Sequence, residues 1–181
     1  MNTNILDREK YKQMIRPLNT EDDKADCFKH LTFSNKHLLI CHNTYTSEHI
    51  NIIIEESNYV ILHYVDTIDN IVGFALVKIL KKNVLDILLV CAIHNEERLG
   101  SMVAYSVYSF ALSKKCKKIY TAPRTHELRN TFMKYGFEHL RGVPDIDEVL
   151  VKQLNPQIFT PVSKTLKIHS TKRSRQAHKF W

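Results

Sequence analysis

A glycine and four side chains in the middle of the sequence carry most of the chemistry it offers. Gly100 lets a backbone come close to a phosphate, Ser101 can cap a helix or donate a hydrogen bond, and Arg98 can hold a phosphate through two parallel N–H bonds. Asp86 stands between Leu85 and the pair Ile87 and Leu88. Burial there would raise its pKa towards neutrality, where a carboxylate works as a general base. A solvated Asp86 at a sheet edge, or one paired with a lysine, is the plainer alternative. His94 is a second candidate base, with an ordinary surface histidine as its plainer reading. Glu96 and Glu97 oppose an anion site, since each carboxylate roughly 5 Å from a phosphate costs roughly 1 kcal/mol at high effective dielectric. A tight turn at Gly100 with Ser101 as a simple cap accounts for the same residues without any ligand.

These residues need a strand and a helix to position them. The apolar run 84–93 reads as a central strand, and a loop over 94–100 leads into a helix starting near Ser101. Val103, Val107, Phe110 and Ala111 lie on one face of that helix, and four lysines close it at 113–118. The unpaired N–H groups of such a helix start favour an anion. Before it, strands over 59–65 and 71–80 form a hairpin, with a tight turn into the third strand. Upstream are a short strand at 14–17, a helix opened by a Thr20/Asp23 capping box, an ambiguous stretch over 36–45, and a helix that Ser47 can cap. Downstream come a strand at 118–122, a helix ending at Tyr135 with Gly136 as its cap, and strands opening at Phe137 and near 148–154. The expected fold class is α/β, a single mixed and mostly antiparallel sheet flanked by helices.

The chain has 181 residues, 44% hydrophobic and 25% charged, enough for one domain with a real core. The expected division is a domain over 1–155 and a basic tail over 156–181. No apolar run approaches the roughly 20 residues of a membrane helix, and nothing at the N-terminus resembles a secretory signal. The expectation is therefore an intracellular protein, cytoplasmic or nuclear, with no membrane partner. Cys27, Cys41, Cys91 and Cys116 are far apart and make no zinc spacing, so they are taken as reduced thiols with no metal. Nearly all of the net charge of +7 sits in 164–181, which has six Lys/Arg and no acid. That segment suits nucleic acid or another acidic partner, nuclear import through Lys172-Arg-Ser-Arg, or a solubilising tail.

Several segments in order resemble the GNAT superfamily of N-acetyltransferases, over roughly 14–146. They are Met14-Ile-Arg-Pro-Leu with Asp22-Asp23, Ile71-Val-Gly-Phe-Ala-Leu-Val, Leu88-Leu-Val-Cys-Ala-Ile-His-Asn, Arg98-Leu-Gly-Ser, and Asn130-Thr-Phe-Met-Lys-Tyr-Gly-Phe. The resemblance implies the GNAT fold and transfer of an acetyl group from acetyl-CoA to a primary amine, on a protein or a small molecule. It implies that Val90, Cys91 and Ala92 meet the pantetheine arm and thioester. Arg98, Leu99, Gly100 and Ser101 would hold the pyrophosphate, with Asp86 as base. The family pattern Q/R-x-x-G-x-G/A is matched only at Gly100. Phe132 stands where many members have a tyrosine acid, and Tyr135, next to Gly136, is expected to point elsewhere. These departures keep a second reading open, a GNAT-like binding or structural module without catalysis, tied to nucleic acid by the tail. The acceptor is unspecified, and a homodimer is left open.

Overall fold

The computed structural model describes residues 11–34, 45–81, 83–93, 97–140 and 149–154; of Phe33, Ser34, Glu97, Arg98 and Glu127 it describes the backbone alone. The expectations for His94, Glu96, residues 36–44 and the basic tail lie outside the described residues.

Strand β1 (Tyr11–Pro17) leads to helix α1 (Glu21–Lys29), which continues into a π-helical turn at His30–Ser34. Helix α2 (Ser47–Glu56) precedes the meander β2 (Tyr59–Val65), β3 (Ile71–Leu80) and β4 (Val84–Ala92). Helix α3 (Glu97–Ser113), β5 (Lys118–Thr121), α4 (His126–Lys134), β6 (Glu138–His139) and β7 (Leu150–Gln153) complete the chain. The strand order is β1-β2-β3-β4-β5-β7-β6. Every neighbouring pair is antiparallel except β4 and β5. The long α3 crossover makes that one parallel pair possible. This is the fold class expected from the sequence.

Local chemistry sets the helix ends. Asp23 N–H donates to Thr20 Oγ1 at 3.1 Å and Thr20 N–H to Asp23 Oδ2 at 3.0 Å, so the expected capping box opens α1. Thr46, rather than the expected Ser47, caps α2 by accepting from His49 N–H. Gly136 adopts φ +81°, and Gly136 and Phe137 donate back to Met133 and Phe132, closing α4 as expected.

The sheet separates two apolar clusters. Leu31, Ile50, Ile54, Leu62, Phe74 and Leu76 pack beneath α1 and α2. On the other face, Ile61, Ala75, Val77, Leu85 and Ile87 meet the expected α3 stripe of Val103, Val107, Phe110 and Ala111. Each fully buried side chain of this kind contributes about 1.5–3 kcal/mol. Gly73 lets α3 lie close, because a Cβ there would stand 2.9 Å from Val103 Cγ2.

Cys91 is disulfide-bonded, while Cys27 and Cys116 are buried free thiols. The expectation of four reduced cysteines fails at Cys91. Separation along the chain does not reveal a pair made in space.

Candidate active site

The site begins with one extra residue in β4. Leu76 pairs with Leu89 but Val77 pairs with Ile87, so Leu88 is a β-bulge. A bulge reverses the alternation of faces. Leu85 and Ile87 belong to the cluster under α3, whereas Leu89 and Cys91 belong to the one under α1 and α2. Val90 and Ala92 now turn towards α3 and α4.

The two central strands part at the same place. Their parallel ladder runs from Val84–Lys118 to Ile87–Thr121 and stops, while β4 continues beside β3 to Ala92. Beyond Thr121 the chain leaves the sheet through Ala122 and the buried Pro123, and proline has no N–H for a ladder. The β5-facing edge of β4 from Leu88 to Val90 therefore borders a gap.

Two cavities meet at this gap. One, of about 140 Å³, lies between α3, α4 and the sheet and is walled by Val90, Gly100, Ser101, Ala104, Tyr135 and Lys152. The other, of about 10 Å³, opens beside Tyr45, Leu89, Thr121, Pro123 and Arg124. Ile87, Val90, Leu128 and Phe132 line both, so these four side chains form the wall the two cavities share at the gap.

The polar groups sit mostly at the rims. Ser101 Oγ and the Tyr135 hydroxyl are 2.7 Å apart, joining the first turn of α3 to the end of α4. Lys152 donates to the Tyr135 carbonyl, and its ammonium lies 5.1 Å from the Tyr108 ring centre. Burial lowers the Lys152 pKa below its ordinary value. Burial raises that of Tyr45, with the Arg124 charge opposing it. The Arg124 guanidinium lies over the Tyr45 ring at 5.0 Å.

Of the residues singled out in the sequence, Val90, Gly100 and Ser101 reach the larger cavity. Ala92 faces the same side of the sheet. Leu99 is buried at 1% exposure and Cys91 points to the opposite face. Arg98 lies in the first turn of α3. Asp86 sits opposite Lys78 and Tyr120, one residue before the last ladder pair, and lines neither cavity. Burial raises its pKa above the ordinary 3.8, with Lys78 opposing and Glu56 adding to the rise.

Two expectations about the helix start and its neighbour are corrected. The helix begins at Glu97 rather than near Ser101, so Gly100 is in its first turn and not in a bend. An acidic residue is favoured at a helix N-terminus, which is why the glutamate belongs to α3. Tyr135 does not point away from the site but stands at its mouth, because the helix closes at Gly136 with Tyr135 as its C-cap. Tyr45, Arg124 and Lys152 were not singled out, and nothing in their local sequence marks them. They come from three separate segments that only the folded sheet brings together.

A mixed seven-stranded sheet whose parallel pair parts at a bulge, with a helix starting just beyond, is the acyl-CoA N-acyltransferase architecture. Solved structures agree: the chain has the fold of the GNAT acetyltransferases. It superposes on Tetrahymena GCN5 with a TM-score of 0.60 at 11% identity, covering 80% of this chain and 97% of that one. Ard1 from Thermoplasma volcanium gives 0.51 at 17% identity over 79% and 98%. The PaiA N-acetyltransferase from Thermoplasma acidophilum, in complex with coenzyme A, gives 0.50 at 14% over 79% and 99%. No protein-family model and no curated protein sequence matches the chain.

Proposed function

We propose that this protein is an N-acetyltransferase moving the acetyl group of acetyl-CoA to a primary amine. The observation that carries the reading is the parting of β4 and β5 at the Leu88 bulge, with a cavity on each side of the gap. Direct transfer needs two substrates to meet at one point from two directions, and a gap in a sheet allows that.

The larger cavity fits the coenzyme. Its wall of Val90, Ala104, Leu128 and Phe132 suits the apolar stretches of a pantetheine arm. The β4 edge beyond Ile87 suits the arm's amides, and the first turn of α3, from Arg98 to Ser101, suits a pyrophosphate. When bound, the coenzyme supplies an activated acetyl thioester. Backbone N–H groups among Val90, Cys91 and Ala92 then polarise its carbonyl. Asp86 lies one residue before the ladder ends and lines neither cavity, so it takes the amine's proton through a water as the new N–C bond forms and the C–S bond breaks. Phe132 has no proton to give the departing thiolate, so another group or water must supply one. A binding module without catalysis is the second reading, and the apolar ring of Phe132 at the gap favours it. We also propose that residues 164–181 bind an acidic partner, nucleic acid being the first to test; affinity that survives their deletion would remove that role.

Calorimetry with acetyl-CoA decides the main reading. Binding is expected in the wild type and not in Gly100→Trp, whose indole would fill the cavity beside α3. No binding by the wild type ends the acetyltransferase reading and leaves the fold intact. Given binding, Asp86→Asn should lower turnover far more than acetyl-CoA affinity, and unchanged turnover removes Asp86 as base.

A further inference from the structure

We infer that the acceptor is a small amine that also carries a carboxylate, and that Arg124 binds it. This rests on the acetyltransferase reading for the identity of the reaction, but its own observation is the charge at the gap. The smaller cavity is the side from which an acceptor reaches the gap, since the larger one is taken by the donor. Among the described residues lining it, Arg124 is the sole charged side chain.

The backbone under Arg124 is held on both sides. Pro123 before it is buried, and Thr125 after it caps α4 by accepting from Leu128 N–H at 3.1 Å. The side chain lies over the buried Tyr45 ring, which leaves the edges of the guanidinium to bind a ligand. Among the described residues Arg124 makes no ion pair.

An exposed cation at the mouth acts against a plain amine, which arrives as an ammonium ion. The repulsion is offset when the same molecule carries an anion that the cation binds. Guanidinium matches a carboxylate through two parallel N–H bonds. The cavity beside it, about 10 Å³, has room for about one water, so an acceptor lies across its mouth, where the guanidinium edge is within reach. A lysine side chain on a protein or a polyamine brings only positive charge and is disfavoured.

The test uses the full chain with acetyl-CoA and two matched pairs, leucine with leucinamide and β-alanine with propylamine, reading thiol release. Each acid is expected to exceed its partner without a carboxylate in kcat/KM by about 10- to 100-fold, the range for hydrogen bonds to a charged group. In Arg124→Gln that ratio should collapse towards one, mainly through KM, and Arg124→Lys should restore part of it. Equal use of acid and partner, preference for propylamine, or preference for phosphoethanolamine over both acids overturns the assignment. A second readout needs no catalysis: ligand-observed NMR of N-acetylleucine without coenzyme. Binding that Arg124→Gln removes upholds the carboxylate site at Arg124 even where the acetyl-CoA test fails and takes the acceptor role with it. Binding indifferent to Arg124, or none, overturns it even where acetyl-CoA binds.

Discussion

A Cβ added at Gly100 would meet no heavy atom within 4 Å, and the backbone there is helical. The glycine is therefore not required by the turn; its missing side chain widens the larger cavity. Two effects of Gly100→Ala then oppose each other. Helix propensity should raise stability by about 0.5–1 kcal/mol, seen as a higher Tm. The added methyl enters the cavity and should weaken acetyl-CoA binding severalfold. Tighter binding together with higher stability would contradict this placement of the cavity. Phe132 offers a complementary case. Its ring is 5% exposed, packs edge-on against Phe137 at 5.0 Å and lines both cavities. Phe132→Tyr puts a hydroxyl beside the departing thiolate and should raise kcat. If that hydroxyl finds no partner, the cost to stability is about 1–3 kcal/mol. A lower kcat with acetyl-CoA affinity intact would show that the thiolate does not leave at this ring.

The elements were legible wherever one face differed from the other. The α3 stripe, the Thr20/Asp23 box and the Gly136 cap each combine spacing with a distinct residue type, and each lies where the sequence placed it. The Leu88 bulge was not legible. From Ile87 onward both faces of β4 are apolar, so a one-residue slip from one cluster to the other leaves no mark on the hydropathy pattern. The start of α3 was not legible because an acidic residue before a glycine suits a helix N-terminus and a solvated loop alike. In β2 a polar residue breaks an apolar strand: His63 is 3% exposed and its Nε2 has no hydrogen-bond partner. Burial lowers its pKa from 6.5 to about 4. The folded state thus binds a proton less readily than the unfolded chain. Its contribution is intact above pH 6.5 and is lost as pH falls towards about 4. The loss totals about 3 kcal/mol at about 1.4 kcal/mol per pKa unit. His63→Leu should flatten the pH dependence of urea unfolding across that window. A slope as steep as the wild type's would place the acid sensitivity elsewhere.

At the scale of the molecule, the order of strands and helices carried the fold, because each element declares itself locally and short connections leave few arrangements. The site was only half legible for the opposite reason. Its walls come from a loop before α2, the bulged half of β4, two helices and β7, and no local pattern ties Tyr45 to Arg124 or Gly100 to Lys152. The same dispersal makes binding a global event. The larger cavity is closed by α3 and β4 on one side and by α4, β5 and β7 on the other, so a ligand there fastens two successive stretches of chain together. By mass action a ligand at 100 times its Kd adds about 2.7 kcal/mol to stability. For a chain of this size each kcal/mol moves Tm by about 2–4 °C. Saturating acetyl-CoA should then raise Tm by about 5–11 °C on those scales. CoA should give a smaller or equal shift and Gly100→Trp none. N-acetylleucine with CoA should add to the shift in the wild type but not in Arg124→Gln, because the two ligands occupy opposite sides of one gap. A shift from acetyl-CoA that Gly100→Trp retains would move the coenzyme out of the α3–α4 cavity and take the gap mechanism with it.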